Sequence, residues 1–159
     1  MATYDMKQFE KKLKKWGKNN PKAVKKAMKA GTELVRKETI DKHLSGPKMA
    51  QGKGSSTSAT LKSGSGDLRG SINTKVTVSN SKTSGQIGSA LKYARIHEQG
   101  GTIKAKNGGY LKFKIGGSWV MVKEVKIPKR AYLEPSLQKK KSDVMDLIGR
   151  MMIREYNKS

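Results

Sequence analysis

Nine residues near the middle of the chain, Tyr93-Ala94-Arg95-Ile96-His97-Glu98-Gln99-Gly100-Gly101, crowd together an aromatic ring, an imidazole, both signs of charge and a double-glycine break. Tyr93, Ile96 and Gln99 recur at helical spacing. Gly100-Gly101 then stops the helix, because glycine enters the positive-φ region at little steric cost. The stretch predicts a short helix, a sharp exit and a strand. The upstream chain leads into this unit and the downstream chain returns to it.

Upstream, residues 5–18 place Met6, Phe9, Leu13 and Trp16 at helical intervals, with Lys11, Lys12, Lys14, Lys15 and Lys18 between them. That is a helix with one apolar stripe and a basic back. Gly17 and Asn19-Asn20 end it, and Asn20 as N-cap with Pro21 in the first turn opens a second helix. The second stripe runs Val24, Ala27, Met28, Gly31, Leu34, Val35 and on through Ile40 toward Leu44. Gly31 costs about 1 kcal/mol of helix propensity against alanine, which a close crossing with a neighbouring helix would explain. Lysine-rich amphipathic helices carrying Trp and Phe also suit a lipid surface. A stripe of this kind more often meets a sheet.

Between Ser45 and Gly66 the pattern dissolves into Gly, Ser, Thr and Lys, and these 22 residues cannot pack a core. As a coil they would span roughly 25 Å on average and about 70 Å fully stretched. A flexible loop or arm is expected, with Lys48, Lys53 and Lys62 as candidate contacts to DNA or an acidic partner. Order returns where Ser65 or Asp67 can cap a turn holding Leu68 and Ile72 at i, i+4. Val76 and Val78 alternate with threonine, Asn80 through Gly85 supplies turn chemistry, and Gln86-Ile87-Gly88-Ser89 pairs back. Beyond the central unit come Thr102-Ile103 and two alternating runs, Tyr110 to Ile115 and Trp119 to Ile127, separated by Gly116-Gly117, a hairpin signal. Tyr110, Lys112 and Lys114 point one way and Leu111, Phe113 and Ile115 the other. Pro128 ends the sheet.

A last helix opens near Glu134-Pro135 and carries Leu137, Val144, Leu147, Ile148, Met151, Met152 and Tyr156 on one stripe. Lys139, Lys140 and Lys141 sit in its first turns, where cations are mildly unfavourable, and so hint at DNA or an acidic partner. The fold expected is α+β: one domain over residues 1–159, a small antiparallel β-sheet packed by a long N-terminal helix pair and a C-terminal helix, with a long flexible Gly/Ser/Lys loop.

Composition narrows function by exclusion. Lys plus Arg number 35 against 12 Asp plus Glu, a net charge of +23 that attracts nucleic acid, acidic proteins or anionic membrane. With no cysteine there are no disulfides, thiolate metal sites or cysteine nucleophiles. No apolar run approaches the ~20 residues that span a bilayer, and no signal-peptide core opens the chain, which predicts a soluble cytoplasmic product. His43 and His97 are the only imidazoles, and His97-Glu98 is the only place where a base adjoins a carboxylate. Neighbours on a helix point about 100° apart, so these two do not face one another.

Ser118, His97 and Asp67 could be grouped as a triad, but no strand-elbow-helix motif surrounds any serine. No His-x-x-x-His pair suggests a metal. Gly52-Lys53-Gly54-Ser55 and Gly64-Ser65-Gly66 lack phosphate-loop spacing. The expectation is therefore no enzyme and no cofactor, with His97 structural and hydrogen-bonded beneath the sheet. Few aromatics are available to stack on bases, so nucleic-acid contact would be nonspecific and through phosphate.

Four segments taken in order resemble a known family. Leu44-Ser45-Gly46-Pro47 closes the long helix. Ser63-Gly64-Ser65-Gly66-Asp67-Leu68-Arg69-Gly70-Ser71-Ile72 is similar to a T-G-x-L-R-x-S-I segment, and Tyr93 to Gly101 to a Y-A-x-x-H-E-x-G segment. Ile127-Pro128-Lys129-Arg130-Ala131-Tyr132-Leu133-Glu134-Pro135-Ser136-Leu137 is similar to I-P-A-R-P-F-L-x-P-A-L before a C-terminal helix. The family is that of tail-completion, neck and virion-morphogenesis proteins of tailed bacteriophages, including minor tail components similar to the lambda Z protein. Ala131 departs from its proline, and Ser63 or Ser65 from its threonine.

The resemblance implies a non-enzymatic structural virion protein, assembled in the host cytoplasm. Copies of the chain would form a sixfold or twelvefold ring at the head-tail junction, completing neck or tail around the DNA channel. Its neighbours would be portal or head-completion proteins and tail terminator or tail tube proteins, with nonspecific contact to genomic DNA and no membrane. A nonspecific DNA-binding packaging accessory is the alternative. In this reading Leu68, Arg69 and Ile72 form one assembly motif. Tyr93, Ile96, His97, Glu98 and Gly100 order the sheet-helix corner. Pro128, Arg130, Tyr132, Leu133 and Pro135 fix the turn into the last helix, with Arg130 pairing Glu98.

Overall fold

A computed structural model describes residues 6–45, 66–79, 82–115 and 117–158. The helices are α1 (Met6–Asn19), α2 (Pro21–Glu38), α3 (Asp67–Ser71), α4 (Ala94–Gln99) and α5 (Leu133–Tyr156), and one π-helical turn, Thr39–His43, prolongs α2. The strands are β1 (Asn73–Val78), β2 (Thr83–Gly88), β3 (Gly101–Lys104), β4 (Leu111–Ile115), β5 (Ser118–Val122) and β6 (Glu124–Ile127). Most of the Gly/Ser/Lys stretch, with Lys48, Lys53 and Lys62, lies outside the described residues.

The expected α+β architecture is present, with α2 as its axle. Helix α5 packs along α2, and the β1–β2 hairpin lies across another side of it. Gly31 marks the helix crossing: a Cβ there would stand 3.0 Å from Val144 Cγ1 and 3.2 Å from Ile148 Cδ1 of α5. Alanine would need these α5 side chains to give by a few tenths of an ångström, so the glycine marks a close approach of the two helices. Gly85 does the same for the hairpin, since a Cβ would collide with Thr32 Cγ2 of α2. Arg36 Nε donates to the Ile72 carbonyl at 2.7 Å, and Thr74 Oγ1 donates to Glu33 Oε1 at 2.6 Å, pinning the start of β1 to α2.

Several local expectations shift. Asn20 sits at the N-cap, but its side chain turns back to donate to the Trp16 carbonyl at 2.9 Å, finishing α1 instead. Gly66, at φ 87°, occupies the N-cap of α3, and Asp67 is the first helical residue rather than a cap. Strand β2 begins at Thr83, so Thr83, Ser84 and Gly85, expected in a turn, lie in the strand.

Among the described residues the expected small antiparallel sheet is made of three separate two-stranded ladders, β1–β2, β3–β6 and β4–β5. The run from Trp119 to Ile127 breaks at Lys123, whose carbonyl accepts from Ala105 N at 2.8 Å. Alternation slips by one residue there: Val120 and Val122 are half-buried before the break, Val125 and Ile127 after it. Ile115 pairs with Ser118, as the Gly116-Gly117 signal predicts. Together β3, β4, β5 and β6 make a two-stranded ribbon whose strands touch the helices only sparsely. At the usual rise the returning strands reach at most roughly 33 Å.

No helix among the described residues is long and apolar enough to cross a membrane. The buried centre is small. Leu44, Ile72 and Tyr132 form it, with Leu68, Ile87 and Leu133 packed around them.

Candidate functional site

The junction where the chain enters and leaves the ribbon is built from all four motif segments. Leu44 comes from the end of the α2 extension, Leu68 and Ile72 from α3 and the residue after it, and Tyr132 and Leu133 from the entry to α5. Ile72 and Tyr132 are almost wholly buried, at 0 % and 1 % exposure. The Tyr132 hydroxyl donates to the Ala94 carbonyl of α4 at 3.3 Å. Burial first, then the nearby Glu98 and Tyr93, push its pKa up to about 12, so the phenol stays a donor at any physiological pH.

Glu98 is the link between segments. Its Oε2 accepts from the backbone amides of Tyr132 at 2.9 Å and Leu133 at 3.0 Å, and its Oε1 accepts from Glu134 at 3.0 Å. These are the donors that the first turn of a helix leaves without intrahelical partners. The next residue, Pro135, has no amide hydrogen to satisfy. A carboxylate borrowed from α4 thus caps α5, where a negative charge also complements the helix dipole. Hydrogen bonds to charged groups contribute about 1.5–3 kcal/mol each at most, so this is a strong tie. Ser136, fully buried, donates from Oγ to the Tyr132 carbonyl at 2.6 Å and closes the turn.

The glycines explain the break. Gly100 has φ 72°, and a Cβ on it would stand 2.8 Å from the Lys129 backbone nitrogen. Gly101 has φ 147°, and a Cβ would stand 2.9 Å from Ile96 Cδ1. The two ends of the ribbon therefore lie against each other, closed by Arg130 N donating to the His97 carbonyl at 2.8 Å.

His97 is half-buried, edge-on to Tyr93 with ring centroids 6.0 Å apart. Its Nδ1 is buried without a hydrogen-bond partner, so the expected bond beneath the sheet is not formed by that atom. Burial, and then the Arg130 charge, hold its pKa below 6.5. A neutral ring packed against a phenol needs less hydration than an imidazolium would. Glu98 meanwhile points to α5, so the two neighbours serve different elements.

Other motif residues divide by exposure. Ile96 and Pro135 are half-buried, whereas Arg69, Tyr93 and Pro128 are exposed. The buried residue of α4 is Ala94, not Tyr93, and Gln99 accepts from Arg95 Nε at 3.0 Å on the outside. Sequence spacing placed the apolar face one position early because Tyr93 is the N-cap rather than a helical residue. Among the α5 lysines, Lys139 donates to Glu38 of α2 at 2.7 Å and Lys140 to Asp143 at 2.7 Å. Lys139 holds the Glu38 carboxyl below its usual range. Lys141 is exposed. Arg36, Glu33 and Ser136 were not singled out by motif or periodicity, although a serine one residue past a first-turn proline is a readable signal for a back-bonded turn.

The capped junction thus holds the ribbon and the long helix α5 at one point. The sequence pattern of the phage virion morphogenesis family matches residues 42–152, and the chain belongs to that family. No curated protein and no solved structure matches it.

Proposed function

We propose that the protein is a structural subunit that forms a ring with its own copies at the phage head-tail junction, completing neck or tail around the DNA channel without a bond-breaking step of its own. Membership of the virion morphogenesis family over residues 42–152 carries this reading. The shape of the surface supports it. Among the described residues, the buried apolar set is only Ala27, Val35, Leu44, Ile72, Ala94 and Tyr132, while Leu137 and Met145 of α5 are both more than half exposed. A subunit with a small core and large exposed apolar groups is completed by neighbours.

Negative-stain imaging and native mass of the purified chain, alone and mixed with portal and tail components, test the reading. Closed rings that bridge the two are expected, as are filled heads and finished tails that fail to join when the chain is missing. A chain that stays monomeric beside every virion component would overturn it.

A second reading, a nonspecific DNA-binding packaging accessory, draws on α1 and α2. Residues 7–29 carry ten lysines against one carboxylate, Glu10, and all of those lysines are exposed. This reading expects steeply salt-dependent duplex binding by the isolated monomer.

A further inference from the structure

The ribbon from Gly101 to Ile127 presents a surface that the described residues leave open. On the face of β5 that carries them, Trp119 is 61 % exposed and Met121 58 %. The β4–β5 register sets Lys112 opposite Met121 and Lys114 opposite Trp119. Their ammonium nitrogens lie 4.8 and 5.0 Å from the centroid of the Trp119 ring. The result is an exposed face on which an indole and a thioether stand beside two lysine ammonium groups. Isolated two-stranded ribbons are marginal in water, so this one gains most from being covered.

Three kinds of occupant compete, and charge with polarity separates them. Residues 101–127 hold six lysines and one carboxylate, Glu124, which already faces Lys104 at 3.9 Å. A second copy of the chain is a poor match, because it brings net charge +23. Of its 12 carboxylates, Glu38, Glu98, Glu134, Asp143 and Glu155 already bind groups of their own chain. Duplex DNA would answer the lysines but leave Trp119 and Met121 against a polar phosphate backbone. An acidic protein surface with an apolar strip answers both.

We propose that the ribbon docks a different, acidic protein of the virion, with Trp119 and Met121 as its apolar anchors and Lys112 and Lys114 as the flanking charges. This rests on the placement of the chain in the virion neck. Large aromatic side chains such as Trp119 are where interface energy concentrates once a partner seals them from water. The ribbon's root is the capped Glu98 junction, so a load on the ribbon is passed to α5 and the core rather than to a loose loop.

The absence of native cysteine gives a direct test. Ser118→Cys, beside the anchor and carrying a cysteine-linked benzophenone, is irradiated in particles assembled with the variant, and the adduct is identified by mass spectrometry. The expected adduct joins residue 118 to another virion protein of net negative charge. In binding to that protein once purified, Met121→Ala and the Lys112→Glu/Lys114→Glu pair each weaken the contact roughly tenfold or more. Their melting curves should match that of the unaltered chain. An adduct to a second copy, an adduct to genomic DNA, or no adduct in particles that contain the chain would each overturn the inference while leaving the neck placement intact. Particles that never incorporate the chain would overturn the neck placement itself, and this inference with it.

Discussion

The motif junction and the ribbon that springs from it are neighbours in the chain and opposites in environment. At the junction Tyr132 and Ile72 are sealed from water, and three backbone amides converge on one carboxylate. On the ribbon an indole and a thioether face solvent on two strands with little beneath them. The difference teaches where each kind of free energy resides. Burial is concentrated in the junction, whereas large apolar side chains of the ribbon are left exposed.

Substitutions can break that division. The largest effect is expected from Tyr132→Ala, about 3–5 kcal/mol in denaturant unfolding, because it empties the centre of the core. Tyr132→Phe, which loses only the bond to the Ala94 carbonyl, should cost about 1 kcal/mol. If both were near neutral, the junction would not be the seat of stability.

Glu98→Ala is expected to cost about 2–3 kcal/mol by chemical denaturation, since it strands the first-turn donors of α5. Arg130→Ala should cost less, because the cap does not depend on it. A double mutant no worse than Glu98→Ala alone would support an ion pair between the two side chains, and additive losses would argue against one.

Gly100→Ala should destabilise by about 1–3 kcal/mol from backbone strain at positive φ, with the Lys129 contact adding to it. Circular dichroism melts compared with Gly108→Ala would sharpen this. Gly108 also has positive φ, but a Cβ there meets nothing within 4 Å.

The His97 prediction concerns pH. Its folded pKa lies below 6.5, so the unfolded chain binds the proton more readily. Its contribution is complete above the unfolded value and is lost as pH falls from there through the folded one. Melting temperature should therefore drop more between about pH 7 and pH 5 in the native chain than in His97→Gln. Equal slopes would show that the ring's burial is not felt.

The smallest effect is expected from Trp119→Ala, within about 0.5 kcal/mol on unfolding. A loss as large as that at Glu98 would mean that the ribbon is part of the fold's core, and the comparison would fail.

Much of the fold was legible in the residues. Apolar spacing marked α1, α2 and α5, Gly31 foretold the helix crossing, and Gly116-Gly117 foretold the hairpin. The motif segments identified the family and picked out Tyr132, Ile72 and Glu98. Less legible was how those residues meet. The sequence offers Arg130 as a partner of Glu98 and gives no sign that the Glu98 carboxylate reaches amides 34 to 36 residues away. Asn20 was read as a cap for the helix after it and instead closes the helix before it.

Periodicity and backbone permissiveness are local properties, so the chain alone determined which segments become helices, where glycine must stand and which faces are apolar. Hydrogen-bond partners distant along the chain exist only after collapse, when distance in space replaces distance in sequence. The capping of α5, the division of the expected small sheet into three ladders and the exposure of Trp119 were therefore decided by the tertiary structure. Each depends on which surfaces α2 and α5 had room to cover.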